Sequence, residues 1–279
     1  MGIIGIGYET YLYINGISCN NEIPLRNNIT LMPVNTKLPL DKLVNVVKTD
    51  IDFSIANLSS KTLSSQFKIV AKNPKELAIL TWNAQWDCIL LGAIFNCEVM
   101  CNLQCDKSVS EAQNATYVNV TNYKFHALLS QVYHISKADE GWLKKYYSTA
   151  IELMNNDIYR TAVHSMASYK WHSMPRIQLA IIWSGIESLF NVSTEVSFRI
   201  SLYIARFLSE NDDISANKIF QSTKKLYNIR SSAVHGNRFK EDNIHLTVND
   251  SALLLRQLII KCAEIGKLPD TNNLLFNLR

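Results

Sequence analysis

The amino-acid sequence predicts an α+β N-terminal domain followed by an all-α helical bundle. Short runs that alternate apolar with polar residues, or that are rich in β-branched and aromatic residues, are concentrated before residue 126. From residue 127 onward, apolar residues instead recur at helical spacing between capping residues and terminating glycines. These two patterns divide the sequence into a predicted domain over residues 1–126 and a predicted bundle over residues 127–279.

The N-terminal half combines predicted strands with one clear helix. The strands are predicted over residues 8–14, 52–58, 64–71, 97–104 and 115–125. A helix is predicted from Pro74, because Asn73 can cap it and Glu76 suits its first turn. Trp82 and Trp86 share one face of this helix, either as core residues or as a base-stacking platform. This half carries no chemical motif, and we expect it to sense a trigger or select a substrate.

Six helices are predicted in the C-terminal half, joined by short links. Their predicted spans are residues 138–155, 157–171, 175–190, 195–209, 213–235 and 250–265. Helix starts are expected at Asn156, at Pro175, within residues 193–195 and within residues 211–213. Gly236 and Gly266 are expected to follow the ends of two helices. Helices of this length with short connections favour a bundle.

Composition and charge limit the classes of protein and partner. Of the 279 residues, 47% are hydrophobic and 19% are charged, which is typical of globular proteins. No run reaches 18 uninterrupted apolar residues and the N-terminus lacks a signal-peptide pattern, so we expect a cytoplasmic protein without a membrane partner. Residues 126–279 hold 18 Lys/Arg against 14 Asp/Glu, which accounts for the whole net charge of +4. This excess permits a phosphate-bearing partner.

Six cysteines occur, at positions 19, 88, 97, 101, 105 and 262. Three of them recur at every fourth residue in CEVMCNLQC (97–105), which matches neither a zinc ribbon nor a CxxC redox motif. They are interpreted as small buried apolar side chains, with metal or redox use as the alternative. We predict no metal and no cofactor.

Two opposite charges occupy the apolar faces of two predicted helices. On a helical wheel of the helix at 213–235, Arg230 lies at the centre of the apolar stripe, between Thr223 and Ala233. Glu187 lies on the apolar face of RIQLAIIWSGIESLF (176–190), together with Trp183. An unpaired buried charge costs several kcal/mol, so the pattern predicts that Arg230 and Glu187 meet.

His235 follows Arg230 by five residues, at the end of the same helix and just before Gly236. Five helical residues rise only about 7.5 Å, so both side chains can converge on one phosphodiester. Arginine stays charged, whereas histidine exchanges protons near neutral pH. Two interpretations stay open at this point: a structural ion pair with a histidine favoured by the helix dipole, or a site that acts on RNA without a metal.

The longer strings resemble the HEPN superfamily, and most closely its Apea-like group. LYNIRSSAVHG (226–236) is preceded by EVSFRISLYIARFL (195–208) and by IIWSGIESLF (181–190). The resemblance covers roughly residues 140–265 and lies in the order of these three strings. It implies a helical bundle that usually dimerises and often cleaves RNA without metal.

The resemblance also implies roles for individual residues. Its R-x4–6-H motif corresponds here to Arg230 and His235, with His235 as general acid or base and Arg230 stabilising charge on the phosphate. Ser231 stands where many members carry Asn, Asp or His, and it can bind ribose or phosphate but cannot relay a proton. Glu187 would orient Arg230, and Tyr227 is either a base-stacking or a core aromatic residue. The cations implied in RNA binding are Lys224, Lys225, Arg238 and Lys240.

The biological setting implied by the resemblance is conflict between prokaryotes and their parasites. We expect a toxin or anti-phage effector that cuts RNA, with tRNA as one substrate candidate, and leaves a 2′,3′-cyclic phosphate. A homodimer through the bundle and a partner antitoxin or defence protein are further expectations. The alternative is a non-catalytic HEPN module that binds RNA or serves as a dimerisation scaffold.

Overall fold

A computed structural model describes residues 2–124, 131–209, 212–234 and 241–276, with only the backbone described for 241–243, 275 and 276. The chain divides into two compact units, Met1–Ser148 and Thr149–Arg279. This division lies later than the predicted boundary after residue 126. The predicted fold class is confirmed, because an antiparallel sheet with helices over 9–134 precedes an all-helical region over 137–274.

The first unit is built on a six-stranded antiparallel sheet. In chain order its strands and the short ones beside it are β1 Glu9–Asn15, β2 Ile17–Ser18, β3 Ile23–Arg26, β4 Ile29–Pro33, β5 Leu63–Val70, β6 Met100–Cys105, β7 Val118–Val120 and β8 Tyr133–His134. The sheet order is β3-β4-β5-β1-β6-β7, and β2 pairs separately with β8 in parallel. Six of the seven residues of β1 are buried, as expected for a central strand covered on both faces.

Helices of the first unit cover this sheet. They are α1 Leu40–Leu43, α2 Asp50–Ser60 and α3 Pro74–Phe95, with a 3-10 helix at Val109–Asn114 and the start of α4 Lys137–Leu153. Tyr11 and Tyr13 of β1 pack with Ile55 of α2 in one apolar cluster. Helix α3 contacts β1, β5 and β6. It is long and apolar enough to cross a membrane by length and composition, a test that core helices of soluble proteins also pass.

Three predictions in this unit were wrong in part. The strand predicted over residues 52–58 is helix α2, which begins at the N-cap Thr49 and buries Ile55 and Ala56 on one face. The strand predicted over residues 115–125 is reduced to β7. Trp82 is 56% exposed, so it is not a core residue. The predicted N-cap of the same helix is confirmed, because the Glu76 amide donates a hydrogen bond to Asn73 Oδ1.

A buried carboxylate ties two helices of the first unit to strand β3. Asp87 of α3 accepts a hydrogen bond from the Tyr147 hydroxyl of α4 at 2.8 Å and pairs with Arg26 Nη2 at 2.5 Å. Burial raises the pKa of Asp87 above its ordinary value, although Arg26 and Tyr147 act in the opposite direction. The cysteine prediction is confirmed for Cys88 and four others, which are buried, while Cys97 is half-buried.

The second unit contains the helices that carry the candidate site. They are α5 Asp157–Ser168, α6 Pro175–Phe190, α7 Val196–Leu208, α8 Asp213–Val234, α9 Glu241–Ile265 and α10 Thr271–Phe276, with a 3-10 turn at Tyr169–Trp171. Helix α6 contacts α5, α7, α8 and α9, so it is central to the unit. Its bounds coincide with the prediction, and Pro175 occupies its start as expected.

The predicted helix boundaries of this unit are mostly confirmed. Asn156 caps α5 by accepting from the Ile158 amide, and Gly266 has a φ of +69° after α9. Helix α9 starts earlier than the predicted residue 250. The cap predicted over 193–195 is wrong in detail, because Glu195 is the N-cap in a left-handed conformation without a side-chain cap bond. Gly236 lies outside the described residues.

Gly185 allows α6 to approach its neighbours closely. A Cβ atom at Gly185 would lie 2.7 Å from the Cβ of Ser165 on α5 and 3.0 Å from a methyl carbon of Leu255 on α9. Real Cβ atoms essentially never make the first contact and rarely make the second, so any side chain here forces α5 to move and displaces the Leu255 side chain. Glycine at this position therefore fixes the packing that holds α6, and with it Glu187.

We expect Gly185→Ala to lower the free energy of unfolding by about 1–3 kcal/mol, because it overpacks the α5–α6–α9 contact. The measurement is urea denaturation followed by circular dichroism. Gly141→Ala is the matched control, since Gly141 is exposed within α4 with no atom near its added Cβ, and it should be neutral or stabilising. Equal effects of the two substitutions would contradict the close-packing account.

Candidate functional site

The structure brings Arg230 and Glu187 together, as the two helical wheels predicted. Nη2 of Arg230 on α8 lies 3.2 Å from each carboxylate oxygen of Glu187 on α6. The pair is half-buried, with 19% of the Arg230 side chain and 31% of the Glu187 side chain exposed. Arg230 therefore has a route to solvent although it lies on the packed side of its helix.

The contact with Glu187 uses only one of the three guanidinium nitrogens of Arg230. Arginine can bind a carboxylate through two parallel bonds, but here Nη2 alone spans both oxygens. The Nε atom is buried and has no hydrogen-bond partner among the described residues. A buried donor without a partner is unfavourable, and because the Nε is enclosed, an additional oxygen acceptor can reach only the exposed part of the guanidinium.

Two aromatic residues complete the packing around the ion pair. Trp183 of α6 is fully buried and donates its indole N–H to Ser251 Oγ of α9 at 3.1 Å. Its ring meets Tyr227 of α8 edge to face at 5.2 Å, and the Arg230 guanidinium lies 5.6 Å from the Tyr227 ring centroid. We call Trp183, Glu187, Tyr227 and Arg230 the arginine cluster.

The arginine cluster forms a closed cycle between two helices. Trp183 and Glu187 are one turn apart on α6, while Tyr227 and Arg230 are one turn apart on α8. Each residue on one helix contacts a residue on the other, and the guanidinium is held both by the Glu187 carboxylate and by the Tyr227 ring. Tyr227 contacts Trp183 and Arg230 within the cluster, and its burial raises the pKa of its hydroxyl.

Burial, rather than the nearby cation, dominates the electrostatics of Glu187. Desolvation raises the pKa of Glu187 above its ordinary value, and the attraction of Arg230 only partly offsets this. A carboxylate that is harder to ionise in the fold than in water does not add to stability through its charge. Glu187 therefore positions Arg230 without its own ionisation adding to stability.

A second arginine, which the sequence reasoning missed, lies at the end of α8. Nη1 of Arg176, in the first turn of α6, donates to the backbone carbonyl of Ala233 at 3.0 Å. A cation at this place is favoured by the helix dipole and by the carbonyls that lack helical partners. No periodic pattern distinguishes Arg176, because its contact depends on how α6 crosses α8.

The other predicted site residues fall into two groups. Lys224 and Lys225 are exposed on α8, and Ser231 is half-buried one position after Arg230. His235, Arg238 and Lys240 lie outside the described residues, so the distance between His235 and Arg230 stays a prediction. Within the described ranges, no three His, Cys, Asp or Glu side chains converge where a metal ion would bind.

A groove of about 640 Å³ lies between α8 and α9, on another side of α8 from the Tyr227 ring. Leu226, Ile229 and Leu253 contribute to its described lining, and Arg230 does not. We do not assign the site to this groove, because it lacks the charged pair on which the chemistry depends.

Comparisons with protein-family models, with curated proteins and with solved structures find no match for this chain.

The energetic balance at Glu187 is testable through pH. Because the pKa of Glu187 is raised above 4.5 in the fold, its contribution to stability is fully present below pH 4.5 and is lost as the pH rises through the raised pKa. We expect the unfolding free energy of the wild type, minus that of Glu187→Gln, to decrease with rising pH across this window. Urea denaturation at several pH values measures it.

Subtracting the Gln variant cancels the titration of all other groups, so the difference reports on Glu187. A difference that instead increases with pH would show that the attraction of Arg230 outweighs desolvation. The arginine cluster would then be a stabilising ion pair.

Proposed function

We propose that this chain is a metal-independent endoribonuclease of the HEPN type, acting as a toxin or anti-phage effector in the cytoplasm. The single observation that carries the proposal is the arginine cluster. It holds a permanent cation half-buried, with an Nε that has no partner among the described residues, and His235 follows this cation by five residues in the sequence. The resemblance of residues 140–265 to HEPN proteins supplies the reaction.

In this proposal, the ribose 2′-oxygen attacks the adjacent phosphorus while the bond from phosphorus to the 5′-oxygen breaks. The products are a 2′,3′-cyclic phosphate and a 5′-hydroxyl. Arg230 stabilises the negative charge that grows on the phosphoryl oxygens, and Glu187 together with Tyr227 keeps the guanidinium in place for this. The guanidinium needs no reorganisation because the arginine cluster already fixes it.

Two proton transfers accompany the reaction. One proton leaves the 2′-hydroxyl and one is delivered to the departing 5′-oxygen, and His235 serves one of these transfers. In a homodimer whose motifs face each other, the His235 of the second copy can serve the other. The homodimer through the bundle is therefore part of the proposal, as is an antitoxin or defence protein that controls it. Ser231 would bind the ribose or phosphate without moving a proton.

The alternative is a non-catalytic HEPN module that binds RNA or acts as a dimerisation scaffold. One observation favours it: Glu187 already compensates the charge of Arg230, which is what a purely structural link between α6 and α8 requires. The two functions can be distinguished by whether the protein cleaves RNA and whether replacing His235 lowers the cleavage rate.

We expect the purified protein to cut total tRNA in the presence of EDTA and to leave 2′,3′-cyclic phosphate ends. His235→Ala should lower the cleavage rate by about 10²- to 10⁴-fold, which is the usual contribution of an acid–base group. Arg230→Ala should lower it by about 10²- to 10³-fold, because a donor to the developing charge is lost. The rates are measured by gel electrophoresis of end-labelled RNA.

His245→Ala is the matched control, since His245 is an exposed histidine on α9. This variant should cleave RNA at a rate within about twofold of the wild type, because substitutions of exposed residues away from a site have little effect. If the wild type binds tRNA but cuts none, the non-catalytic alternative is favoured. If His235→Ala cuts as fast as the wild type, the assignment of the chemistry to the Arg230–His235 motif is wrong.

A further inference from the structure

We propose that Phe198 and Phe220 form a stacking platform for an unpaired base of single-stranded RNA, on the same side of α8 as the phosphate held by Arg230. This inference rests on the proposed function and names the form of RNA that it accepts. Phe198, in the first turn of α7, is 51% exposed, and its ring packs in a T-shaped contact with the ring of Phe220 on α8. The two ring centroids are 5.7 Å apart at an interplanar angle of 75°.

A second side-chain contact joins the start of α7 to α8 near the platform. The hydroxyl of Ser197 donates to Asn228 Oδ1 at 3.2 Å. On α8, the Lys224 ammonium lies 5.8 Å from the Phe220 ring centroid. An exposed aromatic ring with a cation beside it is the combination that sequence-tolerant RNA binding uses, since every base has a face that can stack.

The platform and the arginine cluster lie along one side of α8. Measured from Arg230 at 100° per residue, Tyr227 lies at about +60°, Phe220 at about +80° and Lys224 at about +120°. Phe220 precedes Arg230 by ten residues, which corresponds to about 15 Å along the helix axis. This stripe therefore runs from the exposed aromatic pair to the guanidinium and spans more than one nucleotide.

The charge of α8 matches a polyanion along the same stretch. From Lys218 to Val234 the helix carries four cations and no acidic residue. Lys224 and Arg230 lie on the stripe, whereas Lys218 and Lys225 lie at about −120° and −140°, on the other side of α8. Lys224 and Arg230 can neutralise phosphates of a strand that follows the stripe. The combination of these two cations with exposed aromatic surface is what favours a nucleic acid as occupant.

The platform implies a preference for single strands. In a duplex the bases are stacked on one another, and in the wide minor groove of RNA their faces are not accessible. A base must therefore be unpaired to lie on Phe198. The substrate class is an RNA loop, a bulge or a single-stranded end, and the scissile phosphodiester lies within a few nucleotides of the stacked base.

The test measures binding separately from cleavage. The probe is a fluorescein-labelled ten-nucleotide RNA in which every ribose is 2′-O-methylated, so that it lacks the attacking hydroxyl. In anisotropy titrations, we expect Phe198→Ala to bind this probe about 5- to 150-fold more weakly than the wild type. This range corresponds to the loss of stacking between one base and an aromatic ring. Phe198→Trp should retain binding, since the larger ring also stacks.

Ile214→Ala is the matched control, because Ile214 is an exposed apolar residue near the start of α8 and lies outside the stripe, at about −160° from Arg230. It should bind the probe as the wild type does, and circular dichroism checks that each variant is folded. A blunt RNA duplex of equal length should bind the wild type and Phe198→Ala alike. With unmodified RNA, Phe198→Ala should raise KM while leaving kcat within about twofold, because a platform binds ground and transition states equally.

The outcomes separate this inference from the nuclease proposal. If the wild type cuts RNA but Phe198→Ala binds the probe as tightly as the wild type, the platform is wrong and the nuclease proposal is unaffected. If no RNA is cut but Phe198→Ala loses probe binding, the platform holds for a non-catalytic RNA-binding module. If Phe198→Ala dissociates an oligomer in sedimentation while probe binding is unchanged, the surface is a protein interface and the platform is overturned.

Discussion

The contact between Glu187 and Arg230 is the interaction on which the rest of the site depends. It joins the helix at the centre of the second unit, α6, to the helix that carries the candidate motif, α8. Trp183 and Tyr227 form a second contact between the same two helices. The guanidinium of Arg230 therefore contacts both the Glu187 carboxylate and the Tyr227 ring. Gly185 in turn permits the close packing of α6 that sets where Glu187 lies.

The energetics of this contact favour a role beyond folding. Desolvation raises the pKa of Glu187 despite the neighbouring arginine, and the Arg230 Nε is left buried without a partner among the described residues. Apolar residues at both positions would join the helices without either penalty. In the proposed function, the fold tolerates these penalties because Arg230 binds phosphate, while Lys224 and the ring of Phe198 guide the strand towards it.

Helical periodicity predicted the part of this site that depends on which face of each helix is buried. Arg230 and Glu187 each interrupt an apolar stripe, and that anomaly was sufficient to pair them. Contacts set by helix crossing left no such signal, and these include Arg176 with Ala233 and Phe198 with Phe220. Periodicity gave the wrong element for α2, because its short apolar run fits either a strand or a helix. The N-cap at Thr49 is the feature that indicates a helix there. Periodicity also failed at Trp82, because smaller side chains such as Ala84 face the rest of the unit.

The most direct test of the central claim is an NMR titration of the arginine Nε–Hε resonances with 2′-O-methylated single-stranded RNA. Arg230 is assigned from the cross-peak lost in Arg230→Lys. We predict that this cross-peak shifts progressively and saturates at the RNA concentration that saturates binding, because a phosphate bound to the exposed part of the guanidinium changes the surroundings of its Nε. A cross-peak that stays in place while RNA binds would contradict the account, since Arg230 would then be no more than a link between α6 and α8.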